Sequence, residues 1–177
     1  MITDKRMKYV KSENGMDLYL FSPSLFRQYY NKEEDWTPHR KSITHKLHML
    51  LYHILGGYQI LYMMEGEEIA SYIVFARCGK TVIEGSTRND IFTVFVTTHP
   101  NYRKRGFASK IVNVMLHDIG LEYDTSYKTI VDSNIGSQKA AFANGYEILY
   151  PAKKSKFLRT MSKAEDGDWR LYSYSQK

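Results

Sequence analysis

The chain has 177 residues, of which 43% are hydrophobic and 25% are charged, and its formal net charge is +6. This length and composition suit one globular domain with a sizeable core and exclude an intrinsically disordered chain. No apolar run approaches the roughly 20 residues that span a bilayer, and the N-terminal segment lacks a signal-peptide pattern. The single cysteine, Cys78, excludes an internal disulfide and is interpreted as a small buried hydrophobe in a reducing compartment. No membrane association and a cytoplasmic location are therefore expected.

A hairpin and then a helix are predicted at the start of the chain. Arg6–Glu13 and Met16–Phe21 flank Asn14-Gly15, the pair best suited to a type I′ turn because both central residues need a positive φ. Proline favours the first position of a helix, so a first helix is predicted from Pro23 through Tyr30.

A second helix is predicted from about Lys41 to Leu55, after a polar loop over Asn31–Arg40. It is expected to pack on the core through the apolar residues that recur at helical spacing. These are Ile43, Leu47, Leu50, Leu51 and Ile54. The remaining face carries His45 and His48, whose spacing with His53 does not match a zinc-binding helix, so no metal is expected.

Two strands are predicted after the second helix. Tyr58–Met64 and Glu68–Arg77 are joined by a turn through Glu65-Gly66, which favours an antiparallel hairpin. Thr81–Glu84 could continue the second of these strands, and the polar segment Gly85–Asp90 then reads as a loop.

The stretch from Ile91 to Asp118 carries the strongest signal in the sequence. Ile91–Thr98 is an apolar and β-branched run that predicts a largely buried strand, and Pro100 requires this strand to end near His99. An amphipathic helix is predicted next, because apolar residues recur along one helical face. These are Ala108, Ile111, Val112, Met115, Leu116 and Ile119.

The turn between that strand and that helix predicts a phosphate-binding site. Gly106 has no Cβ, so backbone N–H groups can surround an anion there, and the first turn of the helix adds unpaired donors and the positive end of its dipole. Arg103, Lys104 and Arg105 add positive charge. The P-loop and dinucleotide-binding motifs do not occur in the sequence. The alternative is an ordinary strand-to-helix connection with solvated arginines.

The remainder of the chain predicts a strand, a helix and a hairpin. The strand covers Lys128–Asp132, and the helix covers about Ser137 to Ala143. Tyr146–Tyr150 and Phe157–Met161 are predicted to form a hairpin around Pro151. The polar and aromatic tail from Ala164 onward is not assigned to any element. A second basic cluster in this region is interpreted as a solvated hairpin: Lys153, Lys154, Lys156 and Arg159.

Two motifs resemble those of the GNAT superfamily of acyl-CoA-dependent N-acyltransferases. A strand followed by Arg103-x-x-Gly106-x-Ala108 at the start of a helix is similar to the CoA-binding signature of that family, and the run from His99 to Arg103 before it is common there. The second motif is a strand ending in Asn, a helix, and Gly followed by an aromatic residue. Its members here are Asn134, Ser137, Gly145 and Tyr146.

The resemblance and the order of the elements imply a single α/β domain of the α+β type over residues 1–177. The expected architecture is a mixed, mostly antiparallel, twisted sheet with helices on both faces and one crossover at the phosphate site. Helices of the acceptor side are expected at about 23–57, and an acyl-CoA core at about 91–146.

The resemblance further implies that acetyl-CoA, or another acyl-CoA, binds as co-substrate. Its pyrophosphate is expected at the N-terminus of the helix after Gly106, and its pantetheine arm along the Ile91 strand, with the thioester between that strand and the Lys128 strand. The expected CoA-binding residues are Val96, Thr98, Arg103, Lys104, Arg105, Gly106, Phe107, Ala108, Ser109 and Asn134.

Catalysis is expected to depend on positioning, on a backbone N–H that stabilises the oxyanion, and on a proton donor and acceptor. Members of the family often carry a tyrosine in the helix after the Asn134 equivalent, where it protonates the leaving thiolate. Alignment places Ala141 there, and alanine cannot donate a proton. Glu84 and Ser137 are the candidate catalytic side chains, and a solvated or hydrogen-bonded role is the alternative for each.

The expected activity is transfer of an acyl group, acetyl in the first instance, to a primary amine of a small molecule or a protein. Aromatic residues are expected to line the acceptor side, either to stack on substrate or to complete the core: Tyr29, Tyr30, Trp36, Tyr52, Tyr58, Tyr62 and Tyr72. The main alternative is a GNAT-fold module that binds or senses CoA without catalysis, and Ala141 motivates it. A nucleic-acid binder using the basic clusters is a third reading. Many members of the family pair, which leaves a homodimer open.

Overall fold

The computed structural model of the protein describes residues 4–30, 36–37, 41–78, 83–155 and 161–176. Within these ranges the chain forms nine strands and three helices, and the strands make one sheet. The strands are β1 (Met7–Glu13), β2 (Met16–Phe21), β3 (Tyr58–Glu65), β4 (Glu68–Arg77), β5 (Ile91–Thr98), β6 (Thr125–Val131), β7 (Glu147–Lys154), β8 (Met161–Lys163) and β9 (Trp169–Ser175). The helices are α1 (Ile43–Leu55), α2 (Phe107–His117) and α3 (Ile135–Ala143).

The strand order across the sheet is β1-β2-β3-β4-β5-β6-β9-β7-β8. Every neighbouring pair is antiparallel except β5 and β6, which run parallel. Parallel neighbours need a crossover connection, and here α2 provides it. The predicted architecture, a mixed and mostly antiparallel sheet with one crossover after the phosphate-site turn, is confirmed.

Helices cover both faces of the sheet, as predicted. On one face, α2 buries the apolar residues expected of it, with Ile111 and Met115 fully enclosed against β3, β4 and β5. On the other face, α1 contributes Met49 to a cluster of aromatic side chains from β2, β3 and β4. The two clusters bury the central strands on both sides, which explains why β3 and β4 are almost continuously apolar in sequence.

The predicted packing face of α1 is wrong. Ile43, Leu47 and Ile54 are 76%, 59% and 68% exposed, whereas His45 and Met49 are buried. The rotation has a chemical cause on the sheet side, where the hydroxyl of Tyr29 hydrogen-bonds Nε2 of His45 and the two rings stack. His45 is therefore paired within the aromatic cluster, and the aliphatic residues Ile43, Leu47 and Ile54 are turned outward.

The first predicted helix is also wrong. Residues 24–27 form a tight turn in which the N–H of Ser24 donates to the carbonyl of Arg27 and the N–H of Arg27 donates to the carbonyl of Ser24. Leu25 and Phe26 are exposed whereas Tyr29 is buried, so the apolar residues of this segment do not pack as one helical face. The predicted loop over 31–40 lies outside the described residues except for Trp36 and Thr37.

The predicted hairpin in this region is present, because β7 and β8 pair antiparallel, but its predicted bend at Pro151 is wrong. β7 continues through Pro151, directly after a register shift against β9 between Ile148 and Tyr150. Proline is tolerated in a strand next to such an irregularity because the ladder is already interrupted there. The second predicted strand, Phe157–Met161, lies outside the described residues up to position 160, and Met161 begins β8.

The unassigned tail supplies β9, which inserts between β6 and β7 and pairs with both. The predicted extension over Thr81–Glu84 lies partly outside the described residues. Ile83 makes an isolated bridge with Met161, and Glu84 begins a turn.

Cys78 follows β4 and is buried, as predicted. Burial raises the pKa of its thiol to about 12, so it is protonated and unreactive at neutral pH. Among the described residues, no helix is long and apolar enough to cross a membrane.

Candidate functional site

The sheet opens between β5 and β6. These strands pair only from Ile91 with Ser126 to Thr93 with Lys128, and beyond that point the two strands have no ladder contacts. β5 continues against β4 to Thr98, while β6 continues against β9 to Val131. The result is a V-shaped cleft whose narrow end lies at Thr93 and Lys128.

The open edge of β5 presents backbone groups to this cleft. The N–H of His99 donates to the carbonyl of Ala70 at 2.9 Å, and the carbonyl of Thr97 faces β4, where it accepts from Ser71 Oγ at 2.9 Å. Because N–H and C=O directions alternate along an antiparallel ladder, Val96 and Thr98 direct theirs to the other side, away from β4. Both are residues that the sequence predicts to bind a pantetheine arm.

β5 also carries a bulge at the narrow end of the cleft. Val74 opposes Phe95 and Phe75 opposes Thr93, so Val94 has no residue opposite it in the ladder. A bulge bends its strand and redirects backbone groups. This irregularity helps β5 to diverge from β6, and the sequence alone contains no signal for it.

The wide end of the cleft meets the predicted phosphate site. After β5 a short 3₁₀ turn over Pro100–Tyr102 leads to Gly106, which has a φ of 78° and precedes the first residue of α2. Lys104 is also left-handed, with a φ of 61°. A Cβ at Gly106 would meet nothing within 4 Å, so glycine is required there by the backbone conformation and not by crowding.

The amides of this turn are available. Among the described residues, none from Lys104 to Ser109 donates its backbone N–H to a protein acceptor, and the first intrahelical bond is from Lys110 to the carbonyl of Gly106 at 3.0 Å. No acidic residue lies in the first turn of α2. The turn therefore combines exposed N–H donors with the positive end of a helix dipole, which is the arrangement that binds phosphate groups.

The basic side chains of the turn remain on its surface. Arg103 donates from Nε to the carbonyl of Thr98 at 3.4 Å, and the guanidinium of Arg105 lies 5.3 Å from the centre of the Tyr102 ring. Phe107 packs into the core beside Tyr102, with ring centres 6.1 Å apart. The loop is anchored by its aromatic residues, and its charges face solvent.

Tyr102 fixes this turn to the β3–β4 hairpin. It is 6% exposed, and its hydroxyl is 2.7 Å from Glu65 Oε2 and 2.9 Å from Glu68 Oε2. The hydrogen bond to Glu65, burial, and the hydrogen bond to Glu68 together raise the pKa of Tyr102 well above its ordinary value, so it stays a proton donor. Sequence analysis missed this role, although Tyr102 lies within the run that carries the family resemblance.

Replacing Tyr102 by phenylalanine is expected to lower the melting temperature by about 2–6 °C, because the two carboxylates lose the single hydroxyl hydrogen that they share, a charge-assisted donor worth about 1–2 kcal/mol. Thermal unfolding followed by circular dichroism measures the change. Tyr9→Phe is the matched control, since Tyr9 is 54% exposed and its hydroxyl donates to Ser12, which is also on the surface. Equal shifts in the two variants would contradict an anchoring role for Tyr102.

Helix α3 forms the other wall of the wide end. Asn134 caps it by accepting a hydrogen bond at Oδ1 from the N–H of Ser137 at 3.1 Å. Both residues, which the sequence analysis names as candidate site residues, line the cleft. The α3 residues that face the cleft are small: Gly136, Ser137 and Ala140. Asn144 at the end of α3 donates to Ser109 Oγ at 2.9 Å, which fixes α3 to the first turn of α2.

Ala141 does not face the cleft. It is fully buried beneath α3, and its carbonyl accepts hydrogen bonds from Asn144 and Tyr146. The position that faces the cleft is Ala140, one residue earlier. Neither alanine can donate a proton, so α3 offers only the hydroxyl of Ser137 for that task.

The structure does not bring Glu84 to the cleft. It is exposed in the turn before β5, where Ile83 bridges to Met161 of β8, and its charge adds to the effect of burial in raising the pKa of Tyr150. The cleft opens toward the other ends of β5 and β6.

Lys128 is a feature of the cleft that sequence reasoning missed. It is 6% exposed, lines the narrow end, and places its Nζ 4.9 Å from the centre of the Tyr146 ring. Burial lowers the pKa of its ammonium to about 8. The signal available in the sequence was a lysine at a position that the alternation of β6 assigns to its buried face.

The cleft as a whole has a volume of about 300 Å³. Its lining is mainly apolar, with Val96 from β5, Val112 from α2 and Ile130 from β6. Within the described ranges, no three His, Cys, Asp or Glu side chains cluster in a way that could hold a metal ion. An apolar slot that widens into an exposed anion site fits an extended ligand with a phosphate group at one end.

Comparisons with known proteins were made on sequence and on structure. No protein-family model matches the sequence, and no curated protein sequence matches it significantly. Solved structures do match. An acetyltransferase from Bacillus subtilis in complex with CoA superposes with a TM-score of 0.58 at 17% identity, over 83% of this chain and 95% of that one. A GNAT family acetyltransferase from Elizabethkingia anophelis with acetyl-CoA bound gives 0.59 at 9% identity, over 93% and 100%. The ribosomal-protein-S5-alanine acetyltransferase from Vibrio fischeri gives 0.59 at 13% identity, over 95% and 96%.

A single mixed sheet, opened between two parallel strands beside a glycine-containing turn with unpaired amides, defines the class of this protein as α/β with a cleft inside the sheet. More narrowly, the chain has the fold of the GNAT superfamily of N-acyltransferases. The fold implied by the two sequence motifs is thus confirmed.

Proposed function

We propose that the protein transfers an acyl group, acetyl in the first instance, from CoA to a primary amine. The observation that carries the proposal is the alignment of three features: unpaired amides from Lys104 to Ser109, outward-facing backbone groups at Val96 and Thr98, and a cleft that ends at Thr93 and Lys128. Two solved structures of the same fold were determined with CoA or acetyl-CoA bound, which supports the choice of ligand.

The proposed pose follows from the chemistry of the cleft. The pyrophosphate is bound by the amides around Gly106 and by the positive end of α2, with Arg103 and Arg105 adding charge. The pantetheine amides pair with the free edge of β5, as an added strand would. The thioester then lies at the narrow end, beside the bulge at Val94.

Rate enhancement in such a site comes from positioning and from dipoles directed at the developing oxyanion. Holding an amine and a thioester in reactive geometry removes much of the entropic cost of a bimolecular step. A backbone N–H near the bulge is the natural donor to the oxyanion, because the ladder is interrupted there. Ser137 lies on the opposite wall as a further polar group.

A CoA-binding module without catalysis is the second candidate. One observation favours it: the residues of α3 that face the cleft or lie next to it, Ala140 and Ala141, cannot protonate a leaving thiolate. The two functions share the binding step and differ only in turnover, so one set of measurements separates them.

Binding is tested by thermal unfolding with CoA, acetyl-CoA and pantetheine. CoA at about 100 times its dissociation constant is expected to raise the melting temperature by about 5–10 °C, because only the folded state binds it. Pantetheine, which lacks the pyrophosphate, is expected to give little shift, and added salt should weaken CoA binding because the anion site is exposed. An equal response to CoA and pantetheine would contradict the phosphate site, and no response to CoA would end both candidates.

Turnover is tested by the release of free CoA thiol from acetyl-CoA in the presence of a panel of primary amines. Cys78, the one cysteine of the chain, is buried and protonated, so it contributes no background to a thiol-reactive dye. Amine-dependent thiol release, with the acetylated amine detected by mass spectrometry, supports the transferase. CoA binding without release for any amine in the panel supports the binding module.

A further inference from the structure

Lys128 is the only ionisable residue among the described residues that line the cleft. It occupies the last rung of the β5–β6 ladder, opposite Thr93, where the strands begin to diverge. Its side chain is 94% enclosed and is held against the face of the Tyr146 ring. The Tyr146 hydroxyl is in turn bonded to Ser126 Oγ at 2.7 Å, which fixes the ring.

Among the described residues, no carboxylate lines the cleft beside Lys128. Two titratable groups face it: Tyr146, whose pKa burial raises to about 12, and Tyr172 of β9, which lies opposite it in the ladder and whose pKa burial also raises. On the same face, Arg170 is bonded to Asp132 at 2.7 Å. The groups facing Lys128 from β5, α2 and α3 are uncharged: Thr93, Val112, Ser137 and Ala140.

A buried cation without a counter-charge is costly to maintain, and a purely structural position would be filled better by an apolar side chain of the same length. The cation–π contact compensates only partly. The environment of Lys128 therefore becomes favourable only when negative charge enters the cleft. The proposed reaction produces such a negative charge on the CoA sulfur at the narrow end of the cleft.

We propose that Lys128 contacts the CoA sulfur and donates the proton that the departing thiolate takes up. The inference rests on the proposed function and deepens it, because it assigns the proton donor that α3 lacks at Ala140 and Ala141. The small residues of α3 that face the cleft leave room for the thioester beside the lysine.

The acid strength of Lys128 suits this step. Burial lowers its pKa to about 8, close to the value of about 8.5 for an ordinary thiol. A donor and acceptor with nearly equal pKa values exchange a proton with little free-energy cost in either direction. Near neutral pH the lysine is mostly protonated at the start of the reaction and can be recharged from solvent afterwards.

The proton from Lys128 enters the reaction at its last bond-breaking step. The ammonium form of the acceptor first loses a proton to water, and the free amine forms a carbon–nitrogen bond to the carbonyl and loses a second proton to water. The carbon–sulfur bond then breaks, its electron pair goes to sulfur, and sulfur takes a proton from Lys128 Nζ. Lys128 recovers a proton from water, so the net reaction releases one proton for each amine cation that is acylated.

The test measures the pKa of the CoA thiol in the complex, which requires no knowledge of the acceptor. Free CoA and CoA bound to the protein are titrated by the ultraviolet absorbance of the thiolate. With Lys128 beside the sulfur, the bound thiol is expected to titrate about one unit below free CoA, a roughly tenfold gain in thiolate at a given pH. In Lys128→Met this shift is expected to vanish, while the apolar replacement keeps the fold. The exposed Lys163→Met of β8 is the matched control and should retain the wild-type shift.

The thiol pKa of CoA bound to the wild-type protein can be compared with that of free CoA even if the Lys128 variant does not fold. CoA that binds with an unchanged thiol pKa overturns the assignment of Lys128 and leaves the proposed function intact. CoA that does not bind at all overturns both. Peptide mapping by mass spectrometry after incubation with acetyl-CoA gives the remaining outcome: an acetyl group on Lys128 overturns the assignment, because an acylated amine cannot donate the proton.

Discussion

Truncating the chain after Asp168 is expected to leave a protein that does not fold. This change removes β9, which lies inside the sheet and pairs with β6 on one side and β7 on the other. It also removes Leu171 and Tyr172, both fully buried, whose loss alone costs about 2–5 kcal/mol each. With two strand edges left unpaired in addition, the cost exceeds the roughly 5–15 kcal/mol that stabilises a whole domain.

Circular dichroism and size-exclusion chromatography of the truncated protein check this expectation. The control removes only residues 176 and 177, which follow β9, and should melt within about 2 °C of the full chain because surface changes at a terminus are nearly neutral. A cooperative melt of the shorter chain would contradict the central position of β9.

Replacing Gly106 by valine is expected to weaken CoA binding by roughly ten- to a hundredfold. The backbone there has a φ of 78°, which a β-branched residue adopts only with a strain of about 1–3 kcal/mol. Because nothing packs around the new side chain, the loop can relieve this strain by leaving its conformation. The amides that precede α2 then no longer converge on one anion. Isothermal titration calorimetry with CoA measures the loss.

Gly120→Val is the matched control for this prediction. Gly120 also has a positive φ, of 67°, and open space around a Cβ, but it follows the other end of α2, away from the cleft. Both variants should lose similar stability, and only the Gly106 variant should lose affinity. Comparable affinities for CoA in the two variants would show that the turn at Gly106 is not the phosphate site.

The central part of the fold could be predicted from sequence because its determinants are local. Ile91–Thr98 is strand-forming at every position, Pro100 stops it, and Gly106 starts the helix whose apolar face is unambiguous. The same locality applies to the β1–β2 turn at Asn14-Gly15 and to the cap at Asn134. In each case a backbone conformation is specified by the residues that adopt it.

The remaining features depend on partners that are distant in the chain. The observed orientation of α1 places His45 in a hydrogen bond with Tyr29, a pairing that helical periodicity cannot reveal. β9 has an ordinary sequence, and only its two neighbours make it a central strand. Lys128 resembles any strand lysine until the helices that enclose it are present. The failures thus lie where tertiary contacts override local preference.

The position of β9 also governs the order in which the protein can be completed on the ribosome. β9 is synthesised after both strands that it joins, so β6 emerges with one edge bare and with only its short ladder to β5 for support. A nascent chain therefore exposes a pairing-competent edge in the wall of its own ligand cleft until the final strand arrives. The wall of the cleft that β6 forms therefore gains its second neighbour only when β9 pairs with it.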